Sequence, residues 1–252
     1  MGSGRVLHRV QPAARSGKVS MAEQDSRKVW DLPVRLMHWG LVVAVLGAWL
    51  TRELEGDWFA WHTRFGYAVL LIAATRIVWG FVGTRHARFG DFVRGPRAIL
   101  RYLREGTGAD GQRIVGHNPL GALMVLAMLA MLLAQALFGL FANDEALETG
   151  PLYGYVSDDT SDLLTSLHER LFDVIAVAVA VHVAAALFYL WVKRENLILP
   201  MVTGRKPGSL LPPGAAGIGP SRTLLAAAIA AALGALLWWV VRNSPEASLF
   251  AF

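Results

Sequence analysis

The stretch Leu167–Asn196, LHERLFDVIAVAVAVHVAAALFYLWVKREN, decides the fold. From Leu171 to Val192 it carries one charged residue, Asp173, and it is long enough to cross a bilayer as a helix. It also carries His168 and His182, although imidazole is costly in hydrocarbon and usually marks function there. Fourteen residues of helix rise about 21 Å and bring the side chain back to within about 40° of the same face. The two histidines therefore share one stripe at two depths.

Four further apolar runs flank this one: Pro33–Thr51, Trp61–Gly83, Pro119–Ala142 and Thr223–Val241. Their only charged residues are Arg35, Arg64 and Arg76. With 54% hydrophobic residues and a mean hydropathy of +0.42, a soluble domain of this length is excluded, because polar surface must cover a soluble core. The expected fold is an all-α membrane protein, a four-helix transmembrane bundle plus a fifth C-terminal transmembrane helix.

The net charge of +5 reflects topology rather than a nucleic-acid partner, because the sign alternates at each crossing. Thr84–Asn118 holds seven arginines against three acids, and Lys193–Arg222 five basic residues against one acid. Asn143–Leu167 holds six acids and no base. The positive-inside rule then puts the N-terminus in the cytoplasm and, after five spans, the C-terminus outside. The bacterial cytoplasmic membrane is the expected location. The nine tryptophans fall near the ends of the spans, as interfacial anchors do.

The expected organisation is a cytoplasmic tail over 1–29, a transmembrane bundle over 30–202, a Gly/Pro-rich linker over 203–222, and a C-terminal helix with a short outer tail over 223–252. The first twenty residues lack the apolar core of a signal peptide, and Met21 is a candidate start. Thr203–Pro220, with five glycines and four prolines, reads as a flexible connection. The segment FVRGPRAILRYLREG alternates arginine with apolar residues at helical spacing, as an amphipathic helix on the inner leaflet or a solvated loop helix would.

Of seven histidines, His8 in the tail and His86 in a basic loop are expected to be solvated. His38, His62, His168 and His182 lie in or at the ends of spans. Antiparallel spans pair them by depth, His62 with His168 near the outer surface and His38 with His182 near the inner one. Imidazoles facing across a bundle can ligate iron on both sides of a flat macrocycle. With no cysteine, covalent haem attachment, thiolate sites and iron–sulfur clusters are excluded. The macrocycles would then be two non-covalent haem b groups, each held by two histidines.

Zinc fits less well, since HERLF lacks the second histidine of H-E-x-x-H and the imidazoles split between two levels. Arg76 follows His62 by fourteen residues and Arg35 precedes His38 by three, so both are candidates for haem propionates at the inner level. For Arg35, snorkelling to the headgroups is the competing reading. Arg64 and Arg170 are the outer candidates. Gly66, one turn after His62, leaves room for a ring to lie against the helix. At the inner interface, His117 and Asn118 could hold a quinone head group.

The stretches VWDLPVRLMHW, HTRFGYAVLLIAATRIVWGFVGTRHARFGDF, RGPRAILRYL, GHNPLGALMVLAML and GPLYGYVSDDTSDLLTSLHERLFD resemble the bacterial cytochrome b561 and nickel–iron hydrogenase cytochrome b subunit family. The likeness runs from about Trp30 to Arg205. It implies a four-helix bundle binding two b-type haems through histidines of the first, second and fourth helices, here His38, His62, His168 and His182. It also implies electron exchange with the quinone pool. Three functions are then open: an electron carrier linking membrane quinone to an outer redox partner such as a c-type cytochrome; a membrane-anchor subunit of a larger complex such as a hydrogenase; or a stand-alone superoxide or quinone oxidoreductase. The oligomeric state is not legible.

Overall fold

The computed structural model describes residues 26–52, 57–105, 115–143 and 148–245. The readings made for His8, Met21 and most of the N-terminal tail, and for Asp144 and Glu145, fall outside these residues.

Five helices are long and apolar enough to cross a membrane: α1 (Leu32–Thr51), α2 (Asp57–Val82), α5 (Pro119–Gly139), α6 (Asp158–Trp191) and α8 (Thr223–Arg242). Between them lie the short α3 (Phe89–Phe92), α4 (Pro96–Glu105) and α7 (Ile198–Thr203). The protein is an all-α, multi-pass membrane protein. Among the described residues a small sheet, β1 (Arg27–Lys28) antiparallel to β2 (Arg205–Lys206), ties the chain before α1 to the chain after α7. The arginine-rich segment is helical as expected, in α4.

Local chemistry sets where the helices start. Asp31 caps α1 through a 2.7 Å bond from Val34 N–H, followed by a proline that needs no donor. Asn118 caps α5 in the same way, at 2.7 Å from Gly121 N–H and directly before Pro119. Ser157 opens α6, and Asp158 and Asp159 in its first turn suit the positive end of the helix. The fourth span therefore begins well before Leu171, which puts His168 inside the helix.

Helix α2 is the hub, packing against α1, α5 and α8, while α6 packs chiefly on α5. The α1–α2 approach is close because Gly47 leaves room for Phe65, whose ring a methyl group at 47 would meet at 2.5 Å. Midway through the bilayer, Ala44, Val69, Leu132, Ala136 and Ile175 form one apolar cluster. A second core at the arginine-rich end gathers Val29, Trp30, Val34, Met37, Trp79, Ala87, Leu211 and Ala226. The Gly/Pro-rich segment before α8 is tied down there. Ile218 N–H donates to Lys28 O at 2.9 Å, and the Ser221 hydroxyl takes Lys28 Nζ at 2.7 Å.

Candidate functional site

The four span histidines form two facing pairs. The His62 and His168 rings have centroids 6.2 Å apart and planes at 80°. The His38 and His182 rings are also 6.2 Å apart, at 53°. Two imidazoles bound to one metal through nitrogen bonds of roughly 2.0 Å place their ring centres about 6 Å apart. Both pairs therefore have the spacing of a shared axial site. Among the described residues no three His, Asp or Glu side chains gather as a metal-binding group. The pairs act as pairs.

In the His62–His168 pair the tautomers are set. His62 Nδ1–H donates to the Ala48 carbonyl at 2.9 Å, and His168 Nδ1–H donates to the Gln135 carbonyl at 2.8 Å. Each ring keeps Nε2 as its lone-pair nitrogen, the arrangement that orients a histidine ligand. Gly139 makes this possible, since a methyl group there would stand 2.8 Å from His168 Cε1. Ala48, Gln135 and Gly139 were not singled out in the sequence. A backbone carbonyl partner has no side-chain signature, although a glycine at the end of an apolar run is a visible signal.

Towards the arginine-rich end of the bundle, several buried polar atoms have no hydrogen-bond partner among the described residues. They are His38 Nδ1, Arg35 Nε, Arg76 NH1, His86 Nε2 and His117 Nδ1. Unsatisfied buried groups are rare in native proteins and call for an explanation. Arg76 is 6% exposed and lies over the Phe89 ring at 5.5 Å, with no carboxylate bonded to it. A flat, acid-bearing group between α1 and α6 fits these donors, because α6 makes few backbone approaches to α1 and α2. At the other pair, Gly66 on α2, one turn after His62, also leaves space, since a Cβ there would meet nothing within 4 Å.

The other sequence candidates are placed differently. Arg35 donates through NH1 to the Val202 carbonyl, which ties α7 to the start of α1. Arg64 is exposed and stacks on Trp61 at 4.8 Å. Asn118 is engaged on both sides, capping α5 and donating to the Tyr189 hydroxyl at 2.9 Å. Tyr189 also bonds the Tyr102 hydroxyl at 2.8 Å, and this contact together with burial pushes the Tyr102 phenol up. His117 is wedged between Trp30 and Phe92, each 4.7 Å away between ring centres. Burial first, then the neighbouring Arg76, His182 and His86, push its imidazole down to about 3, so it is neutral at physiological pH.

One expectation is corrected. His86 is not solvated but 5% exposed, with Nδ1 at 2.8 Å from Asp91 Oδ2, because the turn into α3 folds this loop under the bundle. The sequence reading also passed over Asp31 as a buried group. It is 1% exposed, and beyond its capping role it accepts from Trp79 Nε1 at 3.1 Å and Thr84 Oγ1 at 2.5 Å.

Fold and site together define a helical membrane protein with paired imidazoles at two depths. The family model described as prokaryotic cytochrome b561 matches residues 29–204. The chain belongs to that family, and so is a bacterial multi-pass membrane cytochrome of b type with a role in electron transfer and haem b as its cofactor. It is 26% identical over 234 residues to a probable Ni/Fe-hydrogenase B-type cytochrome subunit of Rhizobium leguminosarum bv. viciae, covering 79% of this chain and 96% of that protein. A protein of the same description from Azotobacter vinelandii is 27% identical over 222 residues, covering 75% of this chain and 91% of the relative. No solved structure matches the chain.

Proposed function

We propose that the chain is a di-haem cytochrome in which His38 and His182 hold one non-covalent haem b and His62 and His168 a second. The observation that carries this reading is the same 6.2 Å facing of imidazoles at two depths. Haem b supplies reversible one-electron chemistry. Where both imidazoles of a pair hold the iron, no coordination position would stay open, which favours passing electrons over stand-alone chemistry on superoxide. Arg76 pairs with a propionate at the inner level, where its unpartnered NH1 supports the assignment. Arg35 contributes through Nε, and Arg64 serves at the outer level.

The arginine-rich loops face the cytoplasm, with the N-terminus inside and the C-terminus outside. Electrons pass between the quinone pool and a redox partner on the outer side, such as a c-type cytochrome. Quinone is received at the inner level near His117, whose neutral ring with an unpartnered Nδ1 can hydrogen-bond a head group. Asn118 acts there by holding the start of α5. A pyridine haemochrome assay tests the central claim, with two haems per chain expected. One haem, in protein expressed with ample haem, would reject it.

A second reading follows from the relatives' names: the chain is the membrane-anchor cytochrome of a hydrogenase-type complex. Haem reduction in native membranes separates the two. Reduction by hydrogen gas supports the anchor reading, and reduction by a quinol alone supports the first.

A further inference from the structure

We propose that the cavity between the turn after α2 and the approach to α8 binds the phosphate of an anionic phospholipid at the arginine-rich face of the membrane. The cavity has a volume of about 290 Å³. Arg85 and Arg88 line it from the family-matched bundle, and Arg222 with the backbone of Gly217 and Gly219 lines it from outside that match. Arg85, Arg88 and Arg222 all line this one space, and an anion held there would offset their like charges. Arg85 shares its charge with Asp91 at 3.4 Å. Arg88 and Arg222 have no ion-pair partner among the described residues.

Depth argues for a lipid rather than a free phosphate. The walls start immediately beyond Val82, the last residue of α2, and end at Arg222, just before α8 begins at Thr223. The cavity is therefore at headgroup level, where basic pockets between spans take anionic lipids. On its membrane side, Phe81 is 68% and Leu224 88% exposed, giving acyl chains an apolar surface that inorganic phosphate does not need. The far wall is held in place. Ser221 accepts from Lys28 Nζ and from Leu32 N–H at 3.2 Å, and Arg222 adopts a left-handed φ of 50° that turns the chain into α8. The α8 extension thus completes a site that the bundle alone leaves open.

Native mass spectrometry of the purified full chain tests this with phosphatidylglycerol, phosphatidylcholine and inorganic phosphate as probes. Phosphatidylglycerol is expected to be retained and phosphatidylcholine not. R88Q alters an exposed side chain and should weaken retention roughly fivefold, while R85Q/R88Q/R222Q should weaken it more than about tenfold. R88K should retain the lipid. Haem content serves as the check on folding, and if the triple variant fails that check R88Q decides. Equal retention of phosphatidylcholine, undiminished retention by R88Q, or displacement of phosphatidylglycerol by inorganic phosphate would overturn the proposal.

Discussion

Gly139 and His168 compete for one space: a Cβ at 139 would lie 2.8 Å from the imidazole Cε1 and 3.1 Å from Nδ1. Gly→Ala inside a helix ordinarily stabilises by about 0.5–1 kcal/mol. Gly139→Ala should do the opposite, pushing His168 off the Gln135 carbonyl and away from His62. The expected outcome is a fall in haem content from two per chain towards one, with the inner haem retained. Unchanged content would show that the ring adapts.

Gly66→Ala offers a complementary readout. The polypeptide has nothing within 4 Å of the added methyl group, so packing of the chain alone predicts no penalty. Loss of haem from this variant, measured at the Soret band, would report an occupant lying against α2. Full haem content would place the macrocycle elsewhere.

The pairing itself is open to test by substitution. His38→Ala and His182→Ala should deplete one and the same haem, and His62→Ala and His168→Ala the other. Redox titration distinguishes the two haems by potential. If His38→Ala and His62→Ala removed the same component, the pairing by depth would fail.

Asp31→Asn probes the buried carboxylate. Asparagine keeps the cap on α1, but its amide would aim a donor at the Trp79 and Thr84 donors that now share Asp31 Oδ2. Leaving buried donors unsatisfied costs about 1–3 kcal/mol. A lower melting temperature in detergent is expected, with haem stoichiometry unchanged. An unaltered melting temperature would mean the network relaxes freely.

Ending the chain before Thr223 should leave both haems bound, because no candidate ligand lies beyond His182. Stability should nevertheless drop, since Ala226 belongs to the inner core and Gly234 of α8 faces Leu71 of α2. Haem loss on truncation would make α8 part of the cofactor-binding bundle.

At the acid-rich end of the bundle, Asp158, Asp159 and Asp162 are exposed. Two of them have structural partners, the Tyr153 hydroxyl on Asp158 and the Asn143 amide on Asp162. Association with a basic c-type cytochrome should slow steeply as salt rises. Stopped-flow rates indifferent to ionic strength would assign these acids to topology and helix capping alone.

The spans and the four histidines were legible because hydropathy and the fourteen-residue interval act along the chain. The five apolar runs match the five long helices, apart from the start of the fourth, where a serine cap and two acids extend it. What sets His62 and His168 was not legible, since the acceptors are the main-chain carbonyls of Ala48 and Gln135. His86 was misread for a related reason. A basic loop looks solvated in sequence, and only the turn into α3 brings Asp91 onto its ring. Arg35 is divided, with NH1 on the Val202 carbonyl, a main-chain partner with no sequence signature, and Nε buried without a partner among the described residues.

Ile175 lies seven residues from His168 and seven from His182, at 3% exposure, within the apolar cluster between the two pairs. An aliphatic layer of this kind lets an electron tunnel but offers no hydrogen-bonded chain along which a proton could follow. On the proposed di-haem reading, each electron crossing it moves uncompensated charge through the membrane field. A full crossing is worth about 2.3 kcal/mol per 100 mV. On that reading, the balance of oxidised and reduced carrier between the two faces follows the voltage across the membrane.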